Sequence, residues 1–139
     1  MILKKPLIVE IFLSALLVAF LHKVALSLFL YWTTSWFDIL MHFLGGLVIG
    51  LIAAFVFFIY PSGRLGSGFV SIPKDHKGSA FLIVIGSVLV VALTWELWEL
   101  FVGFTDVLDD QADTILDVIM GLIGGTTAFL YAKSKIWQK

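Results

Sequence analysis

Residues 38–60 read DILMHFLGGLVIGLIAAFVFFIY, an apolar stretch interrupted by the ionisable residues Asp38 and His42. A transmembrane α-helix needs about 20 apolar residues at a rise of about 1.5 Å each, so this stretch is long enough to cross a bilayer, with Asp38 as its expected N-cap. Three further apolar stretches of similar length flank it. The predicted spans are residues 7–30, 38–60, 79–104 and 113–132. The sequence therefore predicts an all-α polytopic membrane protein, a bundle of four transmembrane helices.

The composition also indicates a membrane protein. The chain has 139 residues, of which 60% are hydrophobic, and its formal net charge is −1. This length predicts a single domain, residues 1–139. The near-zero net charge gives no indication of nucleic-acid binding. The absence of cysteine excludes disulfides and thiolate chemistry. The expected partner is therefore the lipid bilayer.

The basic residues predict the orientation of the spans. With the exception of Lys23, they lie near the chain ends or between spans two and three: Lys4, Lys5, Arg64, Lys74, Lys77, Lys133, Lys135 and Lys139. The positive-inside rule assigns such segments to the cytoplasm. We therefore predict a multi-pass protein of the cell (cytoplasmic) membrane with both termini and the loop 61–78 in the cytoplasm. The loops 31–37 and 105–112 are expected on the extracytoplasmic side.

Three of the four spans carry pairs of ionisable residues near their predicted extracytoplasmic ends. The pairs are Asp38 with His42, Glu96 with Glu99, and Asp113 with Asp117. Residues three or four apart share one face of a helix. A charge inside a bilayer costs about 2.5–3.5 kcal/mol on insertion scales, so such groups usually face a partner or a wet cavity. We therefore predict that the six side chains converge about 5–12 Å below the outer surface.

Five carboxylates and one imidazole are suitable ligands for a divalent cation. So many carboxylates cannot all be ionised in a low dielectric without compensation. Mg²⁺, Mn²⁺, Ca²⁺ and Zn²⁺ are candidates, and no spacing selects among them. Two other compensations stay open. The carboxylates could share protons in a network that only holds the helices together, or Lys23 could supply a counter-charge.

Glycine pairs predict where the helices approach one another. Gly46 and Gly50 form a GxxxG motif in the second span, and Gly121 and Gly125 form another in the fourth. In membranes, small residues at this spacing let two helix backbones pack closely. Close packing of these two spans would bring their ionisable pairs together.

A family resemblance rests on three segments, FDILMHFLGGLVIG, ALTWELWELFVGF and DTILDVIMGLIGG. Their order, D-x₃-H-x₃-G, then E-x₂-E, then D-x₃-D-x₃-G-x₂-G, resembles the uncharacterised YjdF-like membrane proteins of bacteria and archaea and, more distantly, is similar to the VanZ-like proteins. The resemblance covers roughly residues 35–130. Ile39 follows Asp38 where the family often has an Asp-Lys pair. The resemblance implies a small helical membrane protein and supplies neither a substrate nor a reaction.

Three functions fit these observations. The first is a metal-dependent hydrolase or transferase for a lipid or lipid-linked substrate, in which the cation polarises a phosphoryl or carbonyl oxygen or activates water and a carboxylate or His42 acts as base. The second is a transporter of protons or cations. Because four helices are few for a transporter, this function would need a homo-oligomer. The third is an accessory protein with a structural polar network. No Walker loop, HExxH helix or Ser/His/Asp order assigns a known reaction. Of the three functions we favour the first.

Reporters that are active on only one side of the membrane test the orientation. We expect a reporter fused after Lys139 to be active in the cytoplasm and one inserted within residues 105–112 to be active outside it, because the basic residues flank the other ends of the spans. An insertion within residues 61–78 is the matched control and should agree with the C-terminal fusion. Activity of the first two reporters on the same side would contradict the predicted topology.

Overall fold

The predicted all-α class is confirmed by a computed structural model, which describes residues 4–59, 77–103 and 111–137. Within these ranges the chain is helical and contains no strand. The helices are α1 (Lys4–Leu28), α2 (Leu30–Thr33), α3 (Ser35–Ala54), α4 (Lys77–Val102) and α5 (Gln111–Trp137), and α3 continues into a π-helical turn, Phe55–Ile59.

The structure also contains four helices with the length and apolar character predicted for membrane spans. The helical segments long and apolar enough to cross a bilayer are Leu7–Leu28, Ser35–Phe58, Gly78–Val102 and Ala112–Ser134. Each agrees with its predicted span to within a few residues at either end. The side of the membrane that each end faces remains a prediction.

Helix α3 begins one turn earlier than the sequence predicts. The expected loop 31–37 instead contains α2 and the first residues of α3, and Asp38 lies in the first turn rather than at the N-cap. The N-cap is Thr34, whose side chain makes no capping hydrogen bond. The longer helix buries Phe37, which joins a small core cluster with Ala25 of α1. This burial depends on a neighbouring helix, which explains why the local sequence did not predict it.

Helix α3 is the centre of the bundle, and its most extensive contact is with α5. The two helices run in the same direction, because Gly46 lies against Gly121 near their middles, while Ala54 and Ala132, farther along each helix, share a core cluster. Ala80, near the start of α4, belongs to the same cluster, so α4 runs opposite to both.

Helix α1 packs mainly against α3 and runs opposite to it. Leu7 clusters with Leu51, and Ala25 clusters with Met41. Much of the remaining surface of α1 is apolar and exposed, including Phe12 and the large hydrophobic side chains around it. In a bilayer such a surface faces lipid chains, which are as apolar as the side chains themselves.

These directions give the bundle two chemically different ends. α1 and α4 finish where α3 and α5 begin. We call this the acidic end, after the carboxylates Asp38, Glu96, Glu99, Asp113 and Asp117. The opposite end is the basic end, after Lys4, Lys5, Lys77 and Lys133 in the helices there.

Glycines set the distance between α3 and α5. A Cβ built on Gly46 would overlap the carbonyl group of Gly121, and one built on Gly124 would overlap the carbonyl of Phe43. A Cβ on Gly50 would lie 3.0 Å from the Cα of Gly125, closer than real Cβ atoms normally approach. Glycine is therefore required at Gly46 and Gly124 for the backbones to pack at this distance.

The adjacent residues Gly45 and Gly46 provide a matched test of this packing. We expect Gly46→Ala to destabilise the folded bundle by about 1–3 kcal/mol, since the added methyl group forces α3 away from α5. Gly45→Ala meets nothing within 4 Å and should be neutral or stabilise by about 0.5–1 kcal/mol, as alanine favours a helix over glycine. Thermal unfolding in one detergent measures both, and equal midpoints for the two variants would contradict the packing.

Candidate metal centre

His42 is the centre of a polar cluster at the acidic end. Its Nε2 lies 3.5 Å from Oδ1 of Asp38 and 3.8 Å from Oδ2 of Asp117. Its Nδ1 lies 4.0 Å from Oε1 of Glu96. The imidazole therefore faces carboxylates from three helices, α3, α4 and α5, which the sequence predicts to converge.

The contact between α3 and α5 explains why His42 and Asp117 meet. His42 precedes Gly46 by one turn, and Asp117 precedes Gly121 by one turn. Because Gly46 and Gly121 touch through their backbones and the helices are parallel, the residues one turn earlier also face each other. Asp38 lies one turn before His42 and completes the same face.

The ligand atoms of the cluster form two groups, Asp38 with His42 and Asp117, and His42 with Glu96 and Glu99. Within each group the ligand atoms lie within 4.8 Å of one another. Two ligands on opposite sides of a cation are about 4–5 Å apart when each bond is about 2.0–2.6 Å long. Either group is therefore close to the size that one divalent cation requires.

Two carboxylate oxygens in the cluster are buried without a hydrogen-bond partner among the described residues. They are Oε1 of Glu96 and Oδ1 of Asp117, on side chains with relative exposures of 7% and 5%. The hydroxyl of Thr114 bonds to the Glu96 carboxylate but leaves this oxygen unpaired. A buried acceptor without a partner costs about 1–3 kcal/mol, and more when it carries charge. Such atoms are what a bound cation or water would satisfy.

The cluster changes from buried to exposed toward the acidic end. Glu96 and Asp117 are buried, the Asp38 side chain is 27% exposed, and Glu99 is partly buried. Asp113 is exposed and belongs to neither ligand group, although it interacts electrostatically with Glu96 and Asp117. Asp38 and Glu99 thus connect the buried carboxylates with the surface.

Trp95 holds Glu99 in place, a role that the sequence did not predict. Its indole Nε1 donates a 2.8 Å hydrogen bond to Oε1 of Glu99, one helical turn later. The Trp95 ring also packs against Trp98 in a tilted arrangement, with 5.1 Å between ring centroids, and makes an edge contact with the His22 ring. The spacing of four residues between Trp95 and Glu99 could have indicated this hydrogen bond. A tryptophan near the end of a span, however, is more often an interfacial residue.

Lys23 is exposed, and within the described part of the chain it forms no salt bridge with the cluster. Its counter-charge role remains a prediction. The neighbouring His22 does reach toward the acidic end, where its Nδ1 lies 2.7 Å from the hydroxyl of Tyr31. Among the described residues, His42 is the one basic side chain within 4.0 Å of Asp38, Glu96 and Asp117.

Comparison with known proteins gives no relative for this arrangement. No family model, curated protein or solved structure matches the chain.

The phenol of Tyr31, outside the membrane spans, should titrate unusually high. Its burial, together with the charges of Asp38 and Glu99, raises the pKa of Tyr31 from 10.0 to about 12. We therefore expect the difference in phenolate absorbance between wild type and Tyr31→Phe to have its midpoint near pH 12. Because the folded-state pKa lies above the unfolded value, the stability contributed by the neutral phenol is complete below pH 10 and is lost as the pH rises toward 12. A midpoint near pH 10 would contradict this environment.

Proposed function

We propose that the cluster around His42 is a divalent-cation site of a membrane enzyme that acts on a lipid or lipid-linked substrate. The observation that carries the proposal is the pair of buried, unpartnered oxygens on Glu96 and Asp117 beside an imidazole. Neutral hydrogen-bond donors do not satisfy them, and the nearest basic group among the described residues is a single histidine. A cation bound by Asp117 would satisfy that carboxylate directly and would offset the buried negative charge of Glu96 beside it.

Asp38, His42 and Asp117 are the ligand set that we propose. A neutral imidazole has a free lone pair on only one nitrogen, so one histidine binds one cation. Nε2 is the nitrogen that faces both aspartates, which leaves the proton on Nδ1, toward Glu96. A carboxylate behind a metal-bound histidine commonly fixes its tautomer and orientation. The group of His42, Glu96 and Glu99 is the alternative ligand set.

The accessibility of the cluster favours catalysis over a closed structural network. Three protein ligands leave a coordination position for water or substrate, and the partial exposure of Asp38 opens the cluster to the acidic end. A bound cation there would polarise a phosphoryl or carbonyl oxygen or activate water. Glu99, held by Trp95 at the edge of the cluster, would accept a proton in this reaction.

A lipid-like substrate is favoured by the location of the cluster. Trp32 and Trp36 are exposed at the same end, as is typical of side chains at a membrane–water interface. The positive-inside rule predicts that this end is extracytoplasmic, which would place the reaction in the outer leaflet. The motifs that resemble the YjdF-like and VanZ-like proteins contain the same ionisable residues, and we propose that the chain is related to the YjdF-like proteins.

Metal content and thermal stability test the site directly. We expect the purified protein to carry or bind one divalent cation and to be stabilised by about 2.7 kcal/mol when the free cation is at 100 times its Kd, because only the folded state binds it. His42→Ala and Asp117→Asn should abolish the response, while Glu99→Gln should keep it if the proposed ligand set is correct. His76→Ala, from the segment 61–78, is the matched control and should respond as wild type does.

The absence of a metal response would contradict the proposed cation site. If wild type contains no metal and its midpoint is unchanged by Mg²⁺, Mn²⁺, Ca²⁺ and Zn²⁺, the cation site is wrong. A Glu96→Gln variant more stable than wild type under those conditions would then indicate a proton-shared network, since the variant removes a buried charge without removing a ligand. Loss of the metal response in Glu99→Gln but not in Asp117→Asn would select the alternative ligand set.

Turnover is tested separately from binding. We expect mass spectrometry of a membrane lipid extract incubated with the protein to reveal a product that forms with the cation and is absent with chelator or with His42→Ala. Metal binding without any lipid product would contradict the enzymatic part of the proposal while leaving the site intact.

A further inference from the structure

A chain of ring contacts joins the two sides of the opening to the cluster around His42. Asp38 of α3 and Glu99 of α4 are the carboxylates that connect the buried acids with the surface. Trp95 bonds to Glu99, and Phe37 directly precedes Asp38. The rings in contact between these two sides are, in order, Trp95, His22, Tyr31 and Phe37. We call these four side chains the aromatic bridge.

Tyr31 faces both sides of this opening. The charges of Asp38 and Glu99 both act on its phenol group, which is half-buried. Its ring packs edge-on against Phe37, with 5.9 Å between ring centroids, and its hydroxyl lies 2.7 Å from Nδ1 of His22. Because His22 in turn contacts a ring of α4, the hydrogen bond between Tyr31 and His22 connects the α3 side of the opening with the α4 side.

The helices beside the opening pack mainly against other partners. Among the described residues, α1 packs against α2 and α3, and α4 packs against α3 and α5, without an extensive contact between α1 and α4. At the acidic end, the edge contact between His22 and Trp95, with 6.3 Å between ring centroids, joins these two helices. The aromatic bridge is therefore the described contact that closes this side of the cluster.

The short helix α2, which carries Tyr31, is connected through two irregular residues. It is one turn long and contains no buried residue. Phe29, before it, has a φ of 56°, in the left-handed region that a phenylalanine rarely adopts because its Cβ crowds a backbone carbonyl. Thr34, after it, has φ −141° and ψ 83°, outside the helical region. Hinges are a few residues at the ends of elements, and a segment with few buried contacts opens at a low cost in free energy.

We propose that α2 is a lid on the cluster and that the hydrogen bond between Tyr31 and His22 holds this lid closed. When the bond breaks, α2 turns about its two ends, so that Tyr31 moves away and the path to His42 widens. The proposal rests on the proposed function for what the lid admits, which is the lipid-like substrate. The opening itself is a property of the chain, so it is tested without substrate or cation.

Chemical modification of His42 measures the opening. The full-length protein in detergent, with chelator present, is treated with diethylpyrocarbonate, which acylates accessible imidazoles, and mass spectrometry follows the peptide that contains His42. The His42 side chain is 10% exposed, so we expect slow modification in wild type. Tyr31→Phe keeps the ring and removes the hydroxyl. It should raise the rate about fivefold, the factor that one neutral hydrogen bond contributes.

A double-mutant cycle assigns the effect to this hydrogen bond. His22→Phe keeps a ring beside Trp95 but has no Nδ1, so it should raise the rate at His42 by a similar factor. Tyr31→Phe combined with His22→Phe should be no faster than either variant alone, because all three lack the same bond. The matched control is Ser27→Ala, which removes a hydroxyl hydrogen bond within α1 and should react as wild type does.

Amide hydrogen exchange distinguishes a moving lid from a loosened bundle. In every variant the peptides that contain Gly46 and Gly121 should exchange as in wild type, since α3 and α5 stay packed. An unchanged rate at His42 in Tyr31→Phe, a double variant much faster than either single one, or faster exchange at the glycine contact would each overturn the lid. Because no cation is present, these results are independent of cation binding, and a missing metal response contradicts the proposed function alone.

Discussion

The direct backbone contact between α3 and α5 is the constraint on which the structure depends. Where Gly46 meets Gly121 there is no space for a side chain, so the two helices approach more closely than ordinary residues allow. Membrane helices gain little from burying apolar surface, so such close packing must supply much of the association energy. It also aligns the parallel helices in register, which brings His42 and Asp117 face to face one turn away.

Burying the carboxylates of the polar cluster lowers the folding stability of the bundle. Glu96 and Asp117 are nearly fully buried, and the one basic group facing them among the described residues is an imidazole at 3.8–4.0 Å. Removing a carboxylate from water is compensated only by a close partner. A fold that keeps these acids where apolar residues would pack more stably is characteristic of a functional site.

Helical periodicity made much of this arrangement predictable. The spacing of four between Asp38 and His42 assigns both to one face, and hydrophobic length alone gives the four spans. Features that depend on other helices were not predictable in the same way. Phe37 extends α3 because α1 covers it, and Trp95 bonds to Glu99 although its position is equally typical of an interfacial anchor.

The parallel direction of α3 and α5 has a consequence for how the protein is made. Two parallel spans cannot be neighbours in the chain, so α4 must cross the membrane between them in the order of synthesis. The glycine face of α3, with Asp38 and His42 beside it, therefore has no partner until α5 has been synthesised. During that interval the half-built site has only water, lipid headgroups or the insertion machinery to solvate it. Asp38 and His42 both lie within the first eight residues of α3 rather than at its middle, so the unpaired site would stay nearer the membrane surface in that interval.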